Sequence, residues 1–144
     1  MAVTPEECAD ERSAVRECLV DLLGDRTPGE TQLVARLVSG FPAKARGLLR
    51  DAAQAAGRSD PVAATLPVHR LRGSAATLGS ARLTGLCAGL EEQAFAGRTE
   101  PIVTARQELD DAVAAFDAVL SAVHRELIGA SEECSASGDV VGHG

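Results

Sequence analysis

The 144-residue chain has no tryptophan, no tyrosine and only three phenylalanines. It therefore lacks the stacking platforms that proteins use to hold single-stranded nucleic acid. Basic residues are scarce as well: 14 Lys and Arg stand against 21 Asp and Glu, a formal net charge of −7. Binding to nucleic acid needs a basic footprint that displaces counterions, so no nucleic-acid partner is expected. No uncharged apolar run approaches the ~18 residues of a membrane span, so none is expected to cross a membrane. The acidic stretch from Met1 to Glu11 lacks the basic region and apolar run of a secretory signal. Cys8, Cys18, Cys87 and Cys134 are scattered, with no Cys-x-x-Cys pair. They read as reduced thiols, and the expected location is the cytoplasm. None of His69, His124 and His143 follows a Glu by three residues, and no metal site is expected.

What is present is a 45% hydrophobic, Ala- and Leu-rich chain with 24% charged residues. That balance suits a soluble globule with one core, and the length suits one domain. Local signals predict five helix starts. Thr4-Pro5-Glu6-Glu7 and Thr27-Pro28-Gly29-Glu30 each join a capping Thr, an early Pro and a Glu three residues on. Ser59-Asp60-Pro61 gives a third start, Gly79-Ser80 a helix stop followed at once by a cap, and Thr99-Glu100-Pro101 opens the last helix.

Between these signals, apolar residues recur at helical spacing. In the last segment Ile102, Leu109, Val113, Phe116, Leu120, Val123 and Leu127 draw one stripe. Earlier segments repeat the pattern with Leu33, Leu37, Phe41, Ala45, Leu48 and Ala52, then Val68, Leu71, Ala75 and Leu78, then Leu83, Leu86, Leu90 and Ala94. One-stripe helices joined by short connections bury those stripes against one another. The expected fold is all-α: an antiparallel four-helix bundle, with an additional N-terminal helix (Val15, Leu19, Leu22) packing on one end. The domain is expected to occupy residues 1–128. Residues 129–144, rich in Gly, Ser and acid, are expected to form a disordered tail. Pro42 and Pro67 fall inside helical segments; Pro67 either kinks its helix or marks a restart capped by Thr65.

The informative stretch runs from Val68 to Gly79. With Val68, Leu71, Ala75 and Leu78 on the core side, His69 lies about 100° around the helix from that stripe. Arg72, Gly73 and Ala76 follow at i+3, i+4 and i+7 and share its outer face. An imidazole near neutral pH is a nucleophile, the guanidinium can pair with an anion carried by the ring, and the small residues leave room for another molecule to approach. The bland alternative is a solvated surface histidine. His124 carries no such surroundings and reads as solvated or partly packed. Glu91 and Glu92 point about 100° apart, too divergent for paired acid catalysis, and read as a solvated face on which Glu91 pairs with a basic residue. Cys87 reads as a small buried hydrophobe.

The run His69-Arg70-Leu71-Arg72-Gly73-Ser74-Ala75-Ala76-Thr77-Leu78-Gly79, followed by Cys87, Leu90 and Glu91, resembles the histidine-containing phosphotransfer (HPt) domain family. That family's pattern is His-x-Leu-Lys-Gly-Ser-x-x-x-Leu-Gly, with a Leu and a Leu-Glu on the next helix. Phe41 matches the family's usual upstream Phe. The resemblance spans roughly Leu19 to Leu127. It implies a phosphorelay intermediate that takes a phosphoryl group from an aspartyl phosphate on a receiver domain and passes it to a response regulator. It places the phosphoacceptor on His69, a phosphate-stabilising cation on Arg72 where the family usually has Lys, and the room-making glycine on Gly73. Arg70, Ala76 and Ser80 are expected on the partner-binding face.

The partners implied are a receiver domain and a histidine kinase or hybrid kinase. No nucleotide-binding glycine loop is present, so the expectation is a phosphocarrier rather than a kinase. No cofactor is expected on this chain; Mg2+ is expected on the partner receiver domain. Two other readings compete. One is a binding module that docks a kinase or receiver without being phosphorylated, and the other is a helical oligomerisation scaffold. The small-residue shelf disfavours the scaffold, and the retained imidazole favours the phosphocarrier over the binding module.

Overall fold

The structure is a computed structural model that describes the backbone of residues 5–143 and the side chains of residues 10–129. Six helices follow in chain order: α1 (Pro5–Leu23), α2 (Pro28–Gly57), α3 (Pro61–Leu78), α4 (Ala81–Phe95), α5 (Glu100–Thr104) and α6 (Arg106–His143). No strand occurs among the described residues. The cap expected at Thr4 lies outside the described residues. The tail expected over 129–144 falls almost entirely beyond the described side chains, as do those of Cys8, Cys134 and His143.

Local chemistry sets the helix ends. Thr27 caps α2 through a reciprocal box: its Oγ1 accepts from the Glu30 backbone N–H at 3.2 Å, while Glu30 Oε1 accepts from the Thr27 N–H at 3.4 Å. At the next start the cap is Asp60, with Oδ1 accepting from Ala63 N–H at 3.1 Å. The α3–α4 turn is the tightest. Gly79 adopts the left-handed conformation at φ +98°, and a Cβ there would lie 2.9 Å from the Ala14 carbonyl oxygen. Only glycine meets both demands, and α1 thereby packs backbone-to-backbone against this turn. Ser80 then caps α4, its Oγ accepting from Leu83 N–H at 3.2 Å.

α3 runs unbroken through Pro67. The expected alternative of a restart at Thr65 is therefore replaced by a start at Pro61. The Thr65 hydroxyl instead donates back to the Pro61 carbonyl at 2.7 Å. Pro67 leaves the Ala63 carbonyl without its usual helical donor, and its ring is buried beside Val68, which anchors this part of α3 in the core.

α2 packs against α3 and α6, α3 against α4, and α4 more lightly against α6, while α1 lies along α6 and α2. Arg12 and Arg16 of α1 both pair with Glu126 of α6 across that seam. The stripe expected on the last segment is buried from Ile102 to Leu127, and Phe116 meets Phe41 of α2 edge-to-face at 5.3 Å.

Two expectations are corrected. The last segment is divided: α5 ends at Thr104, and α6 begins after Ala105. Thr99 makes no side-chain capping bond there. On α2 the buried column is Val34, Val38, Phe41, Ala45, Leu49 and Ala52, not the one through Leu33, Leu37 and Leu48. Leu33 is an exposed residue, and Leu37 and Leu48 are only partly covered.

Candidate functional site

Val68, Leu71, Ala75 and Leu78 bury the inner face of α3, which turns His69 outward. Its side chain keeps 59% of its surface exposed. The imidazole is nevertheless held: Nδ1 lies 2.7 Å from Oε1 of Glu91 on α4. Glu91 is itself buried, with 7% of its side chain exposed, and its second oxygen lies 2.8 Å from Arg72 Nη1. Arg72 stands one turn beyond His69, with Nη2 3.4 Å from the ring Nδ1.

The 2.7 Å contact bears on where the ring carries its hydrogen. An unprotonated Nδ1 would place a lone pair against a carboxylate oxygen at 2.7 Å, which is repulsive. The contact therefore favours a hydrogen on Nδ1 donated to Glu91, and in the neutral ring that arrangement leaves the lone pair on Nε2. The buried carboxylate in turn needs donors for both oxygens. It receives one from the ring and one from the guanidinium, so the three side chains hold one another in place.

The surroundings keep the face open. Gly73 is exposed, and a Cβ added there would meet nothing within 4 Å. Ala76 is exposed two turns from His69, so both small residues share the histidine face as expected. Arg70 is also exposed, but it points to the α2 side, where it lines a groove with Arg36 and Lys44.

Cys87, one turn before Glu91, is buried as expected. Burial first, and then the Glu91 carboxylate, push its thiol up to about 12, with Arg72 pulling the other way. It stays a neutral thiol and is no nucleophile. His124 is partly covered. Among the described residues its buried Nε2 has no hydrogen-bond partner, and burial lowers the ring below its ordinary value.

The structure corrects two expectations. Ser80 is fully buried and spends its hydroxyl capping α4, so it is removed from any partner-binding face. Glu91 does pair with a basic residue, but it lies in the interior and not on a solvated face. Arg72, the expected phosphate-stabilising cation, contacts Glu91 and lies beside the ring at Nδ1.

Glu91 is the residue that spacing alone missed. A signal was available: His69 lies ten residues before Gly79 and Glu91 eleven after Ser80. A tight antiparallel hairpin folded at that turn brings the two level.

Among the described residues, no group of three or more His, Cys, Asp or Glu is arranged to hold a metal ion. No described helix is long and apolar enough to cross a membrane. Comparison with curated proteins and with solved structures gave no match. A family model for the Hpt domain matches residues 36–125, from the first third of α2 into α6. The match covers more than half of the chain and contains His69, Arg72, Gly73 and Glu91. The chain therefore belongs to the Hpt domain family, the phosphocarrier modules of two-component signalling.

Proposed function

We propose that this chain is a phosphorelay intermediate whose His69 accepts a phosphoryl group from an aspartyl phosphate on a receiver domain and passes it to a response regulator. The observation that carries this reading is the oriented imidazole. Nδ1 lies against the Glu91 carboxylate, the rest of the ring is largely exposed, and Gly73 and Ala76 leave the surface beside it clear.

The chemistry follows with the hydrogen on Nδ1. The Nε2 lone pair attacks phosphorus in line with the acyl P–O bond. The N–P bond forms as the P–O bond breaks, and the aspartate carboxylate leaves with that electron pair. The step requires no proton transfer. Positive charge develops on the ring, and the Glu91 carboxylate already bonded to Nδ1–H stabilises it. Onward transfer is the reverse reaction with a second carboxylate. Glu91 is thus a positioning residue, and Arg72 serves by holding the second oxygen of Glu91 while keeping a cation near the phosphoryl group. Further neutralisation of the transferring group is assigned to the partner, where Mg2+ is expected. The reading leaves ATP chemistry to a separate kinase.

Incubation with a phosphorylated receiver domain tests the reading. The wild-type chain should gain acid-labile, base-stable phosphate, and His69→Gln should fold normally and gain none. Full labelling of His69→Gln would overturn the assignment, and loss of label only in His124→Gln would move it. A wild-type chain that binds the receiver yet never becomes labelled would favour the non-phosphorylated binding module.

A further inference from the structure

Beside the histidine face, on the side away from Glu91, an open groove of about 740 Å³ separates α2 from α3. Arg36, Gly40 and Lys44 follow one another along its α2 wall at i, i+4 and i+8. Arg70, Gly73 and Thr77 line the α3 wall. Buried Phe41 and Leu78 lie at its floor. Arg36, Lys44 and Arg70 are all exposed, and none forms an ion pair among the described residues. On a chain of net charge −7, this places three unpaired cations around one groove next to the phosphoacceptor.

We infer that this groove is an electrostatic docking track for the domain that exchanges phosphate with His69, and that it selects a partner helix with an apolar ridge flanked by acidic side chains. The inference rests on the phosphoacceptor reading and adds the chemistry by which the partner is chosen. An acidic protein repels an acidic partner over most of its surface, so a local cationic rim fixes both where and in which orientation the two can meet. Gly40 and Gly73 leave the groove unobstructed, since a Cβ at either would meet nothing within 4 Å. A helix can therefore approach closely, laying its apolar ridge toward Phe41 and its carboxylates against the rim. A basic partner finds no complementary charge in this groove.

The test uses Arg36→Glu/Lys44→Glu, which leaves His69, Arg72 and Glu91 untouched. The donor is a phosphorylated receiver domain with acidic residues on the helix bordering its phosphoaspartate, compared with a version in which those residues are Asn and Gln. At 50 mM salt the second-order transfer rate constant should fall about tenfold or more in the double variant, with the limiting rate at saturation within about twofold. The neutralised donor should lose most of its rate with the wild-type chain and little more with the variant. Raising salt to 500 mM should slow the wild type far more than the variant. Labelling of His69 by phosphoramidate, a small donor that needs no docking, should match in both chains.

A double variant that transfers as fast as wild type with the same salt dependence would overturn the inference. So would an equal loss with the acidic and neutralised donors. Tight binding of duplex DNA at 150 mM salt, abolished in the double variant, would assign the groove to nucleic acid instead. Labelling of His69→Gln by the same donor would refute the phosphoacceptor reading on its own, independently of the groove.

Discussion

Gly73 separates the needs of the fold from those of the site. It lies in the interior of α3, exposed, one turn beyond His69, with open space where a side chain would begin. Packing therefore raises no objection to a larger residue. Glycine inside a helix is about 0.8–1 kcal/mol less favourable than alanine, and glutamine falls between them. Gly73→Ala should thus stabilise the protein by up to about 1 kcal/mol and Gly73→Gln by about 0.5 kcal/mol. For a chain of this size that raises Tm by about 1–4 °C. The effect on transfer runs the other way. Side chains on a helix lean toward its N-terminus, and one turn rises about 5.4 Å, so a glutamine at this position leans over the approach to the imidazole. Transfer from a phosphorylated receiver should slow about tenfold or less in Gly73→Ala and about a hundredfold in Gly73→Gln, while urea and thermal melts show both variants at least as stable as wild type. Quenched-flow measurement of label transfer, with the melts run on the same samples, reads both effects. A Gly73→Gln protein that is stabilised and still transfers at the wild-type rate would show that the cleared surface has no role. A destabilised one would contradict the exposed helical position itself.

The remaining predictions concern the groups around the ring. Glu91→Gln should keep the shape of the site but remove the charge that orients Nδ1–H, slowing transfer about tenfold and raising the fraction of the other tautomer in nitrogen-15 spectra; unchanged rate and spectra would remove Glu91 from the account. Arg72→Lys should be mild, because one ammonium can still reach Glu91, whereas Arg72→Ala should shorten the lifetime of the phosphorylated form and slow transfer at low salt; an unaffected Arg72→Ala protein would reduce this guanidinium to a solvated side chain. His124 sets a pH dependence. Burial holds its ring below the ordinary value of 6.5, so the unfolded chain takes up a proton first as pH falls. Its contribution to stability is fully present above about 6.5 and is lost as pH drops through the lowered folded value. Urea melts between pH 8 and 5 should therefore fall more steeply for wild type than for His124→Leu, and parallel curves would contradict the buried setting of Nε2.

Where chain chemistry was local, the sequence was legible. The Thr27 box, the Gly79–Ser80 stop and cap, and the stripe from Ile102 to Leu127 all depend on neighbouring residues, and each is found as the residue types imply. The misread features depend on the third dimension. α2 carries two adjacent apolar columns, and only packing against α3 and α6 decides that Val34, Val38 and Leu49 go inside while Leu33 stays out. The break after Thr104 has no glycine or proline to announce it, since Ala105 favours helix. At the site, the exposed position of His69 and the open space at Gly73 followed from helical spacing relative to Val68 and Leu71. Burial of Glu91 did not, because a carboxylate reads as a surface residue until the hairpin brings His69 and Arg72 to it. Ser80 erred in the opposite sense: its place in the motif suggested contact with a partner, yet its hydroxyl is consumed by the helix it starts.

The central claim concerns one atom: Nε2 of His69 receives the phosphoryl group because Nδ1–H is held by Glu91. Phosphorus-31 and nitrogen-15 spectra of the histidine-labelled chain, taken after incubation with a phosphorylated receiver domain, read that atom directly. The account predicts a single phosphorylated histidine, His69, with phosphorus coupled to Nε2 and the hydrogen retained on Nδ1. Phosphate on Nδ1, on His124 or on no histidine would contradict it.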